Sequence, residues 1–95
     1  MAAFKVITTT RFERMFRSLL GRHPALLDVH KDVLSILSED PYNRRRQHPI
    51  KKLRDVPAGK GQYRVRIGRW RFRYDIDDDT VVLMACGLRD ESTYR

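Results

Sequence analysis

GQYRVRIGRWRFRYD, residues 61–75, alternates apolar and basic side chains on either side of Gly68. A period of two is typical of two half-buried strands, and glycine at the first central position suits a two-residue type II′ hairpin turn. Such a turn fixes the register of the hairpin. The predicted cross-strand pairs are Ile67 with Trp70, Arg66 with Arg71, Val65 with Phe72, and Arg64 with Arg73.

This register gives the hairpin one apolar face and one face of opposed arginine pairs. Like charges directly opposite each other destabilise a hairpin, so the arrangement favours a site for a polyanion over a merely solvated face. The whole chain of 95 residues has a formal net charge of +8. Twelve of its twenty lysines and arginines, but one of its twelve acidic residues, lie between positions 43 and 74. A basic side of this kind makes nucleic acid the first partner to consider.

The remaining elements surround this hairpin. A β-branched run at 4–7 predicts a first strand, and Thr10 with Glu13 has the spacing of a capping box that begins a helix. A second helix follows and ends near Ser38, and the apolar run at 80–87 predicts a central strand. We therefore expect one α+β domain over residues 1–95. Its order is β-α-α-β-β-β, with a helical hairpin packed on one face of a mainly antiparallel four-stranded sheet.

Residues 42–60 are predicted to form a long connection that carries seven lysines and arginines. Its length suggests a functional loop, although a solvated loop and a loop that follows a phosphate backbone are equally compatible with the charges. The candidate RNA-binding residues of this connection are Arg44, Arg45, Arg46, Lys51 and Lys52.

Several other classes of site find little support in the sequence. Cys86 is the single cysteine and lies in an apolar run, which predicts a buried thiol. The three histidines lack metal-ligand spacing, and His48 is a weak candidate for proton transfer. The three aspartates at 77–79 are typical of a turn and not of a metal site. No apolar run is long enough to cross a membrane, and no signal peptide is present, so a cytoplasmic protein is expected.

The residues also resemble a known family, the RelE/ParE superfamily of small toxins. The likeness rests on Asp40-Pro41, on Lys52-Leu53, on Tyr63-Arg64-x-Arg66-x-Gly68-x-x-Arg71, and on an apolar strand that ends at Gly87-Leu88-Arg89 with Tyr94 beyond it. It implies the toxin of a type II toxin–antitoxin system, neutralised by a cognate RelB-like antitoxin that lays an acidic or amphipathic segment near the arginines. RelE-like members cut messenger RNA on the ribosome without a metal or other cofactor, whereas ParE-like members inhibit DNA gyrase.

The resemblance also implies site residues for the nuclease reading. The catalytic candidates are Arg64, Arg66, Arg71, Arg89 and Tyr94, and Arg69 and Arg73 join the RNA-binding set. Arginine forks suit the binding of a phosphate, but a guanidinium stays protonated and is a poor base, which makes Tyr94 the candidate base or stacking platform. A ribosome-dependent messenger-RNA endonuclease is the preferred interpretation. A gyrase inhibitor and a catalytically inactive RNA-binding module are the alternatives.

Overall fold

The computed structural model describes residues 3–89, which form two helices and one five-stranded sheet. The elements are β1 (Lys5–Thr8), α1 (Thr10–Arg22), α2 (Leu26–Glu39), β2 (Ile50–Lys52), β3 (Tyr63–Ile67), β4 (Trp70–Asp77) and β5 (Thr80–Leu88). The strand order is β1-β5-β4-β3-β2, with β1 parallel to β5 and the other pairs antiparallel. The helices share a hydrophobic core with one face of the sheet. The predicted α+β class with a helical hairpin on one face is confirmed.

The predicted strand count of four is wrong, because the sheet has five strands. The additional strand is β2, which lies inside the predicted connection and pairs antiparallel with β3 at the sheet edge. Three residues are too few to show an alternating pattern. Pro49 directly precedes them, and proline within sheets is confined to strand starts, edge strands and bulges. Two exposed lysines in such a short strand are typical of an edge, where they discourage further pairing.

The central hairpin has the predicted register. Ile67 pairs with Trp70, Arg66 with Arg71, Val65 with Phe72 and Arg64 with Arg73. Gly68 has a positive φ of 59°, whereas Arg69 does not, as a type II′ turn requires. The turn chemistry therefore sets which side chains lie on each face.

Helix α1 begins where predicted, but its cap is Thr9 and not Thr10. Thr9 has extended backbone angles, and its hydroxyl accepts a hydrogen bond of 3.0 Å from the Phe12 amide. The Thr9 amide donates to the carbonyl of Leu83 (3.2 Å), so the cap residue continues β1 along the sheet. Because an N-cap keeps non-helical angles, the last sheet-bonded threonine is the cap.

The core lies between the helices and the apolar face of the sheet. Leu26, Val33, Val65, Phe72 and Tyr74 have no exposed surface, and the Cys86 thiol is buried as predicted. None of the helices in the part of the chain that the structure describes is long and apolar enough to span a membrane.

Strand β5 contains a β-bulge at Met84. Leu83 pairs with Tyr74 while Ala85 pairs with Arg73, so Met84 is an extra residue between them. The bulge shifts the alternation of β5 by one position. Leu83 and Cys86 therefore both face the core, although residues three positions apart lie on opposite faces of a regular strand.

Candidate nucleic-acid interface

The face of the sheet opposite the helices, called here the open face, carries the arginines in two cross-strand rows. In the first row Arg66 pairs with Arg71, which pairs with Gly87. In the second row the pairs are Lys51 with Arg64, Arg64 with Arg73, and Arg73 with Ala85. Neighbouring strands lie about 4.8 Å apart, and same-face residues of one strand about 7 Å apart. The open face is thus a compact grid of cations at spacings suited to adjacent charged oxygens.

Arg89 joins the same surface at the end of β5. Its amide donates a hydrogen bond of 2.7 Å to the carbonyl of Arg69, in the hairpin turn. Arg89 directly follows β5, two positions beyond Gly87, and this hydrogen bond places its backbone beside the hairpin turn. The structure therefore brings Arg66, Arg71 and Arg89, three of the five predicted catalytic residues, to one end of the sheet.

Arg71 carries a buried donor at this end of the sheet. Its Nε is shielded from solvent and has no hydrogen-bond partner among residues 3–89. A buried N–H without an acceptor costs about 1–3 kcal/mol, and such groups concentrate at functional sites. Gly87, across from Arg71, is a buried glycine. The unpartnered donor makes Arg71 a candidate to bind an anionic oxygen.

Arg73 is held against the loop that precedes β3. Its Nε donates to the carbonyl of Gly61 (3.1 Å), and its Nη2 donates to the carbonyls of Gly61 (2.9 Å) and Lys60 (3.0 Å). Asp75, two residues further along β4, accepts from the amides of Gly61 and Gln62, both at 2.9 Å. One cation and one buried carboxylate thus fix the loop at 60–62 through its backbone.

The basic residues at 44–46 do not belong to these rows. The Asp40 carboxylate accepts from the amides of Arg44 (2.9 Å) and Arg45 (3.0 Å), and the Arg44 guanidinium lies 4.9 Å from the centre of the Tyr42 ring. Burial by itself raises the pKa of Asp40, but the hydrogen bonds from these two amides outweigh it and lower the pKa overall. The loop is therefore ordered by a charged cap at the end of α2.

The two lysines of β2 lie on different faces of the sheet. Lys51 pairs with Arg64 and extends the second row on the open face. Lys52 pairs with Tyr63 and its Nζ lies 5.7 Å from the centre of that ring, on the helix side. Of this predicted RNA-binding pair, Lys51 alone shares a surface with the arginine rows.

The described residues offer few groups that could move a proton on the open face. Tyr74 is buried, and its hydroxyl donates to the carbonyl of Pro41 (2.7 Å) while burial raises its pKa well above the usual value. Burial raises the pKa of the Cys86 thiol to about 12. His30 lies among the rings of Phe12 and Phe16 in the helical layer. Tyr94, the predicted base or stacking residue, lies outside the described residues.

Two cations near the rows escaped the sequence analysis. Arg11, at the start of α1, and Lys60 line one cavity of the open face together with Arg73. Their positions depend on contacts between distant parts of the chain, so the local pattern gives no signal for them. Among residues 3–89, no cluster of three or more His, Cys, Asp and Glu side chains could hold a metal ion.

Comparison with solved structures identifies the class to which this fold and cationic sheet face belong. The chain is similar to one in the crystal structure of the RelBE2 toxin–antitoxin complex from Mycobacterium tuberculosis, with 30% identity and a TM-score of 0.72 over 93% of this chain and 100% of that chain. It also resembles chains of two archaeal RelB–RelE complexes. One is from Methanococcus jannaschii, with 18% identity and a TM-score of 0.58 over 87% of this chain and 89% of that chain. The other is from Pyrococcus horikoshii OT3, with 20% identity and a TM-score of 0.60 over 94% of this chain and 98% of that chain.

The archaeal likenesses show a shared fold, and the mycobacterial one shows the family. No family model matches the sequence, and no curated protein matches it. The class is that of small α+β toxins with two helices packed on a mixed sheet. The chain belongs to the RelE/ParE superfamily, as a RelE-like toxin of a type II toxin–antitoxin system.

Proposed function

We propose that this toxin is a metal-independent endoribonuclease that cuts messenger RNA on the ribosome. The 2′-hydroxyl of one nucleotide attacks the adjacent phosphorus and the 5′-oxygen leaves with a proton, so the products carry a 2′,3′-cyclic phosphate and a 5′-hydroxyl. The proposal places the protein in the cytoplasm, where its substrate is. Its family membership supports a toxin, and the arrangement of the open face supports the nuclease activity.

One observation carries the proposal, namely the buried and unpartnered Nε of Arg71 within a grid of arginines. Opposed like charges destabilise the free sheet, and the buried donor adds to that cost. Both penalties are relieved when an anion binds. The charge that develops on a pentavalent phosphorus is such an anion, and preorganised donors stabilise it most when they need no rearrangement.

The roles of the residues follow from their chemistry. Arg66, Arg71 and Arg89 hold the oxygens of the scissile phosphate, and Arg64 adds positive charge from the second row. A guanidinium does not accept a proton at neutral pH, so the base is a different group. Tyr94 fills that role in the proposal, because adjacent arginines would lower the pKa of its phenol, and its ring could instead stack on a base.

The same surface suits the cognate antitoxin, which we propose to be RelB-like. The similar chains come from complexes of RelE with RelB. An acidic or amphipathic segment laid across the arginine rows would neutralise them and would occupy the place of the RNA. A segment that folds as it binds can cover such a surface and be removed by proteolysis when free.

The experiment is to map messenger-RNA 5′ ends in bacteria after a short pulse of the toxin. The test variant is Arg71→Ala with Arg89→Ala, and the control is Arg14→Ala with Arg17→Ala on the exposed side of α1. We expect cuts within translated frames for the wild type and the control. Loss of one preorganised donor typically slows a reaction about 10²–10³-fold, so the test variant should leave transcripts intact. Intact transcripts in wild-type cells that stop growing would refute the nuclease and would direct attention to gyrase.

A further inference from the structure

A second cationic site lies on the open face beside the arginine rows. It is a cavity of about 130 Å³ between the loop before β3, the start of α1 and the bulge of β5. The lining residues are Arg11, Gly59, Lys60, Arg73, Met84 and Ala85. The positively charged side chains of Arg11, Lys60 and Arg73 thus line one cavity. An anion is the ligand that such a lining favours.

Parts of the wall of this cavity are fixed by hydrogen bonds. Arg73 is bonded to the carbonyls of Lys60 and Gly61, so its guanidinium and the loop form one wall. Arg11 reaches the cavity because the Thr9 amide bonds to Leu83 and α1 therefore begins at the edge of the sheet. The bulge at Met84 supplies the floor. These parts of the wall lose little conformational entropy on binding, whereas the exposed side chains of Arg11 and Lys60 become ordered at a cost.

The cationic cavity continues into a larger one of about 410 Å³, with Gly59 and Met84 lining both. This volume lies within the range of small-molecule sites. Ala58, Val82 and Met84 provide apolar surface, Gln62 provides an amide, and Asp77 lies at the exposed end of β4. The nearby Asp75 carboxylate is already engaged by the Gly61 and Gln62 amides. The two cavities together are called here the groove. It has one cationic end and one largely apolar end, where the Asp77 carboxylate lies.

This polarity fixes the orientation of a nucleotide. A phosphate is attracted to Arg11 and Lys60 and repelled by Asp77, whereas a neutral base can lie against the apolar side chains. Arg73, which lines the cationic end, is two residues from Arg71 on the same face of β4, a separation of about 7 Å. The groove is therefore next to the proposed position of the scissile phosphate.

We propose that this groove binds the RNA nucleotide adjoining the scissile phosphate, with its own phosphate between Arg11 and Lys60 and its base against Val82 and Met84. This inference rests on the proposed nuclease function and adds a substrate-positioning site to it. A carboxylate of the antitoxin could also enter the cationic end. The larger apolar cavity beside it favours the nucleotide, because a single carboxylate side chain would leave that cavity empty.

The experiment measures single-turnover cleavage of a messenger RNA on programmed bacterial ribosomes as a function of toxin concentration. The variants are Arg11→Ala and Lys60→Ala, with Arg14→Ala and Lys31→Ala as exposed helix controls. Each substrate carries either one neutral methylphosphonate linkage or one abasic nucleotide, placed in turn at each position around the cut. Loss of a charge-assisted contact typically weakens binding about tenfold or more.

We expect Lys60→Ala and Arg11→Ala to raise the toxin concentration at half-maximal rate about tenfold, and the controls to leave it unchanged. One methylphosphonate next to the cut should weaken the wild type more than either variant does, and it should weaken Lys60→Ala less than the wild type, since only the contact with Arg11 then remains to be lost. An abasic nucleotide at that position should also weaken the wild type. Two results would refute the binding of a nucleotide in this groove and leave the nuclease proposal intact. One is that the losses caused by a variant and by a methylphosphonate add fully at every linkage. The other is that the variants change the affinity for the antitoxin alone. A wild type that cuts nothing would refute both.

Discussion

Asp75→Asn is the substitution that should reveal how the loop before β3 is held. The Asp75 carboxylate is 8% exposed and accepts two amide hydrogen bonds of 2.9 Å, from Gly61 and Gln62. Asparagine has nearly the same shape but one acceptor oxygen, so its amide group would face one of the two N–H donors. One charge-assisted hydrogen bond is lost and one donor remains buried without a partner.

The magnitude follows from those two changes. A hydrogen bond to a charged group contributes roughly 1.5–3 kcal/mol, and we expect Asp75→Asn to lower the free energy of unfolding by about 2–3 kcal/mol. For a domain of this size, 1 kcal/mol corresponds to about 4–8 °C in the melting temperature. The melting temperature should therefore fall by roughly 8–24 °C.

The assay is urea and thermal unfolding of the purified toxin, followed by circular dichroism. Asp77→Asn is the matched control, since this residue lies two positions along the same strand and is exposed. It should change the free energy of unfolding by less than about 0.5 kcal/mol. If the two variants unfolded at the same urea concentration, the carboxylate would not be holding the loop and the reasoning would fail.

Three further substitutions test other contacts. The His30 pKa is lowered from its usual value of 6.5, chiefly because burial disfavours the imidazolium and despite the attraction of Glu13. As the pH falls, the unfolded chain therefore binds a proton at His30 before the folded protein does. The free energy of unfolding should decrease as the pH drops below about 6.5. His30→Gln should flatten that part of the pH profile in urea titrations. Tyr74→Phe leaves the Pro41 carbonyl without its 2.7 Å donor and should cost about 1–3 kcal/mol in urea unfolding, with an unchanged midpoint contradicting the role of the hydroxyl. Gly61→Ala should lower the melting temperature more than Gly59→Ala, because both have positive φ but only at Gly61 would a Cβ lie 3.2 Å from the Cβ of Arg73. Equal losses would show that this close approach is harmless.

The sequence predicts the parts of this fold that depend on local patterns. The register of the hairpin follows from Gly68 and from the alternation around it, and both survive in the structure because turn geometry and burial demand the same pairing. The pairing of Arg66 with Arg71 follows from that register. Arg89 was a candidate only through the family resemblance, because its place beside the hairpin turn depends on the pairing of β4 with β5.

The parts that escaped prediction depend on contacts between distant segments. β2 is recognised only when β3 is present to pair with it, since its three residues carry no pattern of their own. Thr9 is the cap because Leu83 binds its amide, a contact across 74 positions in the chain. Lys60 and Arg11 meet at one cavity through the loop and the sheet edge. No window of local sequence contains both members of such a pair.

The bulge at Met84 determines which residues of the last strand lie beside the arginines. With the extra residue, Ala85 and Gly87 lie across from Arg73 and Arg71, and Cys86 and Leu88 face the core. If Met84 were instead paired with Arg73 in a regular ladder, each residue after it would move one position and Cys86 would lie across from Arg71. Deletion of Met84 would remove the bulge and would keep Ala85 across from Arg73 and Gly87 across from Arg71. The bulge therefore lets the last strand keep one residue more than its partner without exposing the thiol to the arginines.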